Sequence, residues 1–212
     1  MDRSAAGTSA TTVPDGGVHP ARTSVAGRLA RVVTEALAPA VLVAGISLAV
    51  AWHSRSMGWG IVAALFASGI PLSYIVRGVR KGHYRDHHVS IRERRPAVIL
   101  FAAASVGVGL ALMILLRAPR ELVALVVAML AGLALTLVVT KLWGKVSFHT
   151  AVASGTATTL VLVFGPWLHL AWLVVGLIAW SRVRLREHTV TQTVIGAVLG
   201  AAAAGVVFPI VR

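Results

Sequence analysis

Between residues 167 and 210 the chain reads WLHLAWLVVGLIAW (167–180), SRVRLREH (181–188) and TVTQTVIGAVLGAAAAGVVFPI (189–210). Two apolar runs enclose three arginines, a histidine and one glutamate. Ionisable groups beside a hydrocarbon phase are costly, so a cluster of this kind is a functional candidate by default. Gln192 follows His188 by four residues, which places both on one face of the helix that starts there. A hydrogen bond from Gln192 to one ring nitrogen would fix the imidazole tautomer and aim the other nitrogen at a ligand. Gly196, Gly200 and Ala204 continue the same face at four-residue spacing, a pattern of small residues that lets two helices approach closely.

The rest of the chain has the same character. Its 212 residues are 57% hydrophobic and only 13% charged, about half the charged fraction of a soluble domain. Mean hydropathy is +0.83. Seven apolar segments follow one another at roughly 34–52, 58–79, 97–116, 121–143, 148–165, 167–180 and 189–210, most of them near the ~20 residues that cross a bilayer. The expected fold is therefore all-α, a polytopic transmembrane bundle of about six to seven spans. The segments ending at 165 and starting at 167 are joined so tightly that they should form a helical hairpin. Residues 1–32, rich in Ser, Thr, Ala, Gly and Pro, read as a flexible solvated tail without a signal-peptide core, and 33–212 as the membrane domain. There is no cysteine, which excludes disulfides and thiol chemistry.

Sixteen of the 20 lysines and arginines fall in or beside the tail and the loops 80–96, 144–148 and 181–188: four in the tail, seven in 77–95, Lys141 and Lys145, and three in 182–186. With seven spans these share one side, opposite Arg55, Arg117, Arg120 and Arg212. The positive-inside rule then makes this a multi-pass protein of the cell membrane with its basic face in the cytoplasm. The net charge of +13 belongs to that orientation and to an anionic ligand rather than to nucleic acid.

Two further polar clusters lie on the basic side. In KGHYRDHHVSIRERRP (81–96), Arg92 and Arg95 are three residues apart, and two guanidiniums aimed together suit phosphate oxygens. The plain alternative is a solvated basic loop. Asp86 and His88 are secondary candidates; with His83 and His87 they match no metal-ligand spacing, and no metal is expected. In GKVSFHTAVASG (144–155) a helix should begin at Ser147, so that free N–H groups, Lys145, the Ser147 hydroxyl and His149 converge. The plain alternative there is an N-cap serine beside an interfacial histidine. Three such clusters on one face imply an anion attached to something apolar, a lipid phosphate or diphosphate.

The order and spacing of these clusters resemble the type 2 phosphatidic acid phosphatase superfamily, whose motifs are K-x6-R-P, P-S-G-H and S-R-x5-H-x3-D. The third is Ser181-Arg182, five residues, His188, three residues, Gln192; the second is Val146-Ser147-Phe148-His149; the first is His88, six residues, Arg95-Pro96. The resemblance spans about 58–210, and the arrangement also looks like a membrane-bound prokaryotic branch of the group that departs from the strict motifs. It implies His188 as nucleophile and His149 as proton donor to the leaving oxygen, with Arg95, Ser147 and Arg182 on the phosphate. No cofactor is implied. Where the pattern has lysine, glycine and aspartate, this chain has His88, Phe148 and Gln192. Arg92 and Lys145 can supply the missing cation. Gln192 can orient His188 but brings no negative charge.

Three functions remain open on these residues. One is hydrolysis of a lipid phosphate or prenyl diphosphate. A second is prenyl transfer or cyclisation, which would have to proceed without the aspartate-rich magnesium motifs, since the only aspartates are Asp2, Asp15 and Asp86. The third is non-catalytic binding of a lipid phosphate. The partners are the lipid substrate and membrane lipids, with homo-oligomerisation left open.

Overall fold

Every apolar segment of the sequence becomes a helix in the computed structural model, which describes residues 24–80 and 95–212. Among these the helices are α1 (Val25–Ala36), α2 (Pro39–His53), α3 (Met57–Ala64), α4 (Ile70–Arg80), α5 (Arg95–Leu115), α6 (Arg120–Trp143), α7 (Phe148–Phe164), α8 (Ala171–Arg184) and α9 (Val190–Val211). A π-helical turn, Leu65–Gly69, joins α3 to α4, and a 3-10 turn, Pro166–Leu170, leads into α8. Among the described residues five helical stretches are long and apolar enough to cross a bilayer, or six if α1 and α2, bent by 45°, count as one span. Helix α7 has 17 residues, about 26 Å of rise, and so falls slightly short of the ~30 Å hydrocarbon core.

The N-terminal expectation needs one correction. Residues 25–32, assigned to a solvated tail, are helical. Ser24 caps α1 by accepting from the Gly27 N–H at 3.1 Å, and Gly27, Ala30 and Thr34 bury one face of it against α8. The Thr34 and Ser181 hydroxyls share a buried hydrogen bond of 3.0 Å, and Arg184 reaches Ser24 at 3.1 Å. The composition of the segment suggested disorder; its packing against α8 supplies the order.

Backbone polar groups must find partners inside the bundle, because lipid offers none. The link between α3 and α4 shows how. Pro71 has no N–H, and the Ile70 N–H turns back to the Leu65 carbonyl, so the Phe66 carbonyl loses its donor within the helix. Ser105 of α5 supplies one at 2.7 Å.

The centre of the bundle is the contact of α9 with α7 and α6. A Cβ at Gly196 would collide with the Ser147 carbonyl, and one at Gly200 with the Ala151 carbonyl and the Ser154 hydroxyl. Only hydrogen fits at either position. The close approach brings polar groups together across the interface: Thr150 Oγ1 donates to the Thr193 carbonyl at 2.9 Å, and the Ser147 N–H to the Gln192 carbonyl at 3.1 Å.

At the opposite end of the bundle, the rings of His53 and Phe164 meet edge to face at 5.2 Å. Arg212 pairs with Glu121 at 3.0 Å and donates to the Leu162 carbonyl at 3.3 Å. These residues come from links that the seven-segment reading places together, away from the basic loops. The hairpin of α7 and α8 also forms where expected, turning at Gly165 with φ 104°.

Gly200→Ala should lower the unfolding temperature of the detergent-solubilised protein, at a cost of about 1–3 kcal/mol from overpacking. Gly176→Ala, where an added Cβ meets nothing within 4 Å, should leave it unchanged or higher. Equal melting of the two variants would refute the backbone contact.

Candidate active site

Two loops meet where α7 and α9 touch. The first, Gly144–Ser147, leaves α6 through Gly144 with φ 112°, a left-handed value that few side chains tolerate. It ends at Ser147, the N-cap of α7, whose side chain accepts from the Thr150 N–H at 3.4 Å. Ser147 is fully buried, so its hydroxyl serves the helix start rather than standing at the surface. His149, in the first turn of α7, is half-buried, and Lys145 is exposed.

The second loop closes α8. Leu185 is the C-cap, and Arg186 adopts φ 56°, the left-handed conformation that ends many helices. The Arg186 N–H bonds the Val183 carbonyl at 2.9 Å and the Glu187 N–H the Arg182 carbonyl at 3.0 Å, which together form a Schellman turn. The position usually belongs to glycine; here an arginine takes it, with its side chain in solvent. The turn folds the chain back so that the His188 N–H also addresses the Arg182 carbonyl, at 3.3 Å. The three arginines of the opening stretch thus separate: Arg182 points inward and is 5% exposed, Arg184 reaches the cap of α1, and Arg186 makes the turn.

Thr189 then caps α9 in a capping box. Its hydroxyl accepts from the Gln192 N–H at 3.3 Å, and Gln192 Oε1 accepts from the Thr189 N–H at 3.2 Å. The second bond identifies Oε1 as the oxygen of the amide, since an N–H cannot donate to an NH2 group. His188 Nδ1 lies 3.2 Å from that oxygen. It must therefore carry the proton, and Nε2 carries the lone pair. The tautomer-fixing bond read from the four-residue spacing is present, and the same amide also holds the helix start.

The surroundings keep the ring neutral. Burial first, then the charges of Lys145 and Arg182, push the His188 pKa down to about 4 from an ordinary 6.5; the Gln192 hydrogen bond and the Glu187 carboxylate pull the other way. Lys145 Nζ donates to the Glu187 carbonyl at 2.6 Å, and Arg182 Nη2 lies 3.4 Å from Glu187 Oε2.

Among the residues singled out from the sequence, Lys145, Arg182, His188 and Gln192 are brought together, with Ser147 bound through its N–H to Gln192 and His149 one turn into α7. Arg95 opens α5. Arg92, Asp86 and His88 lie outside the described residues. Sequence reasoning missed the capping box, although T-V-T-Q followed by an apolar run carries its signature. It also passed over Glu187, which nothing but its place beside His188 distinguishes in one dimension.

Residues 141–212, about a third of the chain, match the family model of the PAP2 superfamily. The matched segment runs from the end of α6 to the C-terminus and holds both loops of the site. No curated protein and no solved structure matches the chain. The structure and the match together describe a helical membrane protein whose C-terminal part is PAP2-like.

A pH titration of the His188 ring by NMR should give protonation near pH 4, and Lys145→Gln should move it upward by removing a like charge. Because the folded pKa lies below the unfolded value of about 6.5, His188 adds stability above pH 6.5 that is lost as the pH falls towards 4. His188→Asn should flatten the melting temperature over that window. An ordinary His188 pKa would refute the electrostatic account.

Proposed function

We propose that this protein is an integral membrane phosphatase that hydrolyses a lipid phosphate or a prenyl diphosphate through a phosphohistidine intermediate, with no metal required. The reading rests above all on the state of His188. Its Nδ1 proton is held by Gln192, its ring is neutral, and Lys145 and Arg182 are the cations beside it. A neutral imidazole is a nucleophile, and fixed cations suit the charge that spreads over the equatorial oxygens of a transferring phosphoryl group.

In the first step Nε2 attacks phosphorus in line. The N–P bond forms as the P–O bond to the leaving group breaks, and His149 gives its proton to the departing oxygen. Arg182 and Lys145, joined by Arg92 and Arg95 from the first motif, bind the phosphate oxygens. In the second step His149 takes a proton from water, the water oxygen attacks phosphorus, and the N–P bond breaks to release inorganic phosphate. Positive charge grows on the imidazole during attack, and Gln192 meets it with a carbonyl dipole where the family's pattern has a carboxylate. The deficit favours a substrate whose leaving group departs readily, which points to a prenyl diphosphate more than to a phosphate monoester. The active-site face is the cytoplasmic one, where the basic loops lie.

Purified protein incubated with farnesyl diphosphate and phosphatidic acid, with and without magnesium, should release phosphate under both conditions, and His188→Ala should abolish the release. Gln192→Asp should raise turnover by about tenfold or more, since exchanging the charged orienting group for a neutral amide costs about 10⁴ in a serine protease triad. Diphosphate release with a cyclised or transferred prenyl product would replace hydrolysis by transfer. An inert wild type over a lipid panel would make the protein a binder.

A further inference from the structure

Residue 187 engages both cations of the site at once. Its carboxylate faces Arg182 and its carbonyl accepts from Lys145 Nζ. The Schellman turn at Arg186 makes this double contact, by turning residue 187 back towards the helix that carries Arg182.

The two contacts differ in kind. At 2.6 Å the lysine bond is short. The arginine contact is a single approach of 3.4 Å, long for a charge-assisted bond, which ordinarily spans about 2.7–2.9 Å and is often bidentate for arginine. Arg182 Nε is buried and has no hydrogen-bond partner among the described residues. A buried guanidinium so incompletely satisfied has donors left for a better acceptor. The side chains also differ in freedom. That of Arg182 is 6% exposed and fixed within α8, whereas that of Glu187 is 37% exposed and can turn into water.

We infer that Glu187 is a displaceable stand-in for phosphate, its carboxylate holding Arg182 until an anionic substrate takes the place. This rests on the reading of the site as one that binds phosphate. It makes Glu187 a specificity-determining residue: an incoming anion must compete with a carboxylate, so weakly charged anions are held off. The released carboxylate remains next to the nucleophile in sequence, where its negative charge opposes that of the bound anion.

The test uses full-length protein in detergent, with inorganic phosphate as the probe, followed by calorimetry. Glu187→Gln should bind phosphate about three- to tenfold more tightly than wild type, through loss of one like charge beside the anion. Glu187→Gln combined with Arg182→Gln should lose that gain. In wild type labelled with ¹³C at glutamate carboxylates, the Glu187 signal should move as phosphate saturates, a readout that needs no substitution and that a purely structural glutamate would not give. Phosphate binding that depends on Arg182, with no gain in Glu187→Gln and a stationary Glu187 signal, would overturn the inference and leave the phosphate site standing. Absence of phosphate binding in every variant, wild type included, would overturn both.

Discussion

The contact between the backbones of α7 and α9 governs the rest of the molecule. Lipid chains are as apolar as leucine side chains, so the hydrophobic effect does not press membrane helices together; close packing and interhelical hydrogen bonds must do so. Gly196 and Gly200 permit the approach, because a Cβ at either would meet a carbonyl oxygen of α7. The Ser147 N–H and the Thr150 hydroxyl then bond carbonyls of α9. The start of α7 and the start of α9 are consequently locked side by side. Lys145 and His149 flank the first, His188 and Gln192 the second, so the packing of small residues is what assembles the chemistry.

Around this contact each charge is placed by a specific backbone device. The left-handed Arg186 reverses the chain and sets Glu187 beneath Arg182. The capping box at Thr189 immobilises the Gln192 amide, and through it the His188 ring. Burial and two neighbouring cations leave the imidazole uncharged at neutral pH. A neutral imidazole therefore sits among fixed cations.

The sequence made part of the 181–192 cluster legible because it is local. The four-residue spacing pointed to the His188–Gln192 contact, although His188 precedes the Thr189 cap of α9 and the capping turn, not a shared helical face, makes it; the spacing of Gly196 and Gly200 announces close packing. The apolar segments were legible for a similar reason: length and hydropathy suffice when the solvent is hydrocarbon. Helix α1 was not, since Gly27, Arg28 and Arg31 interrupt its apolar residues and its order comes from α8. Ser147 was read as offering its hydroxyl to a phosphate, but the side chain is buried at the start of α7. Glu187 was passed over because its meaning lies in a side chain five positions back, reached through a turn that glycine would ordinarily mark and arginine here conceals.

By itself, then, the sequence determined an all-helical membrane bundle, the alternation of its segments, the basic character of the links between some of them, and the pairing of His188 with Gln192. Each follows from composition or from spacing over a few residues. Only the tertiary structure decided which polar groups meet across helices: Thr34 with Ser181, Ser105 with the carbonyl orphaned by Pro71, Lys145 with residue 187, and Ser147 with α9. The physical reason is that a hydrogen bond between helices depends on interaxial distance and rotation. Packing sets both, and no period along the chain encodes them.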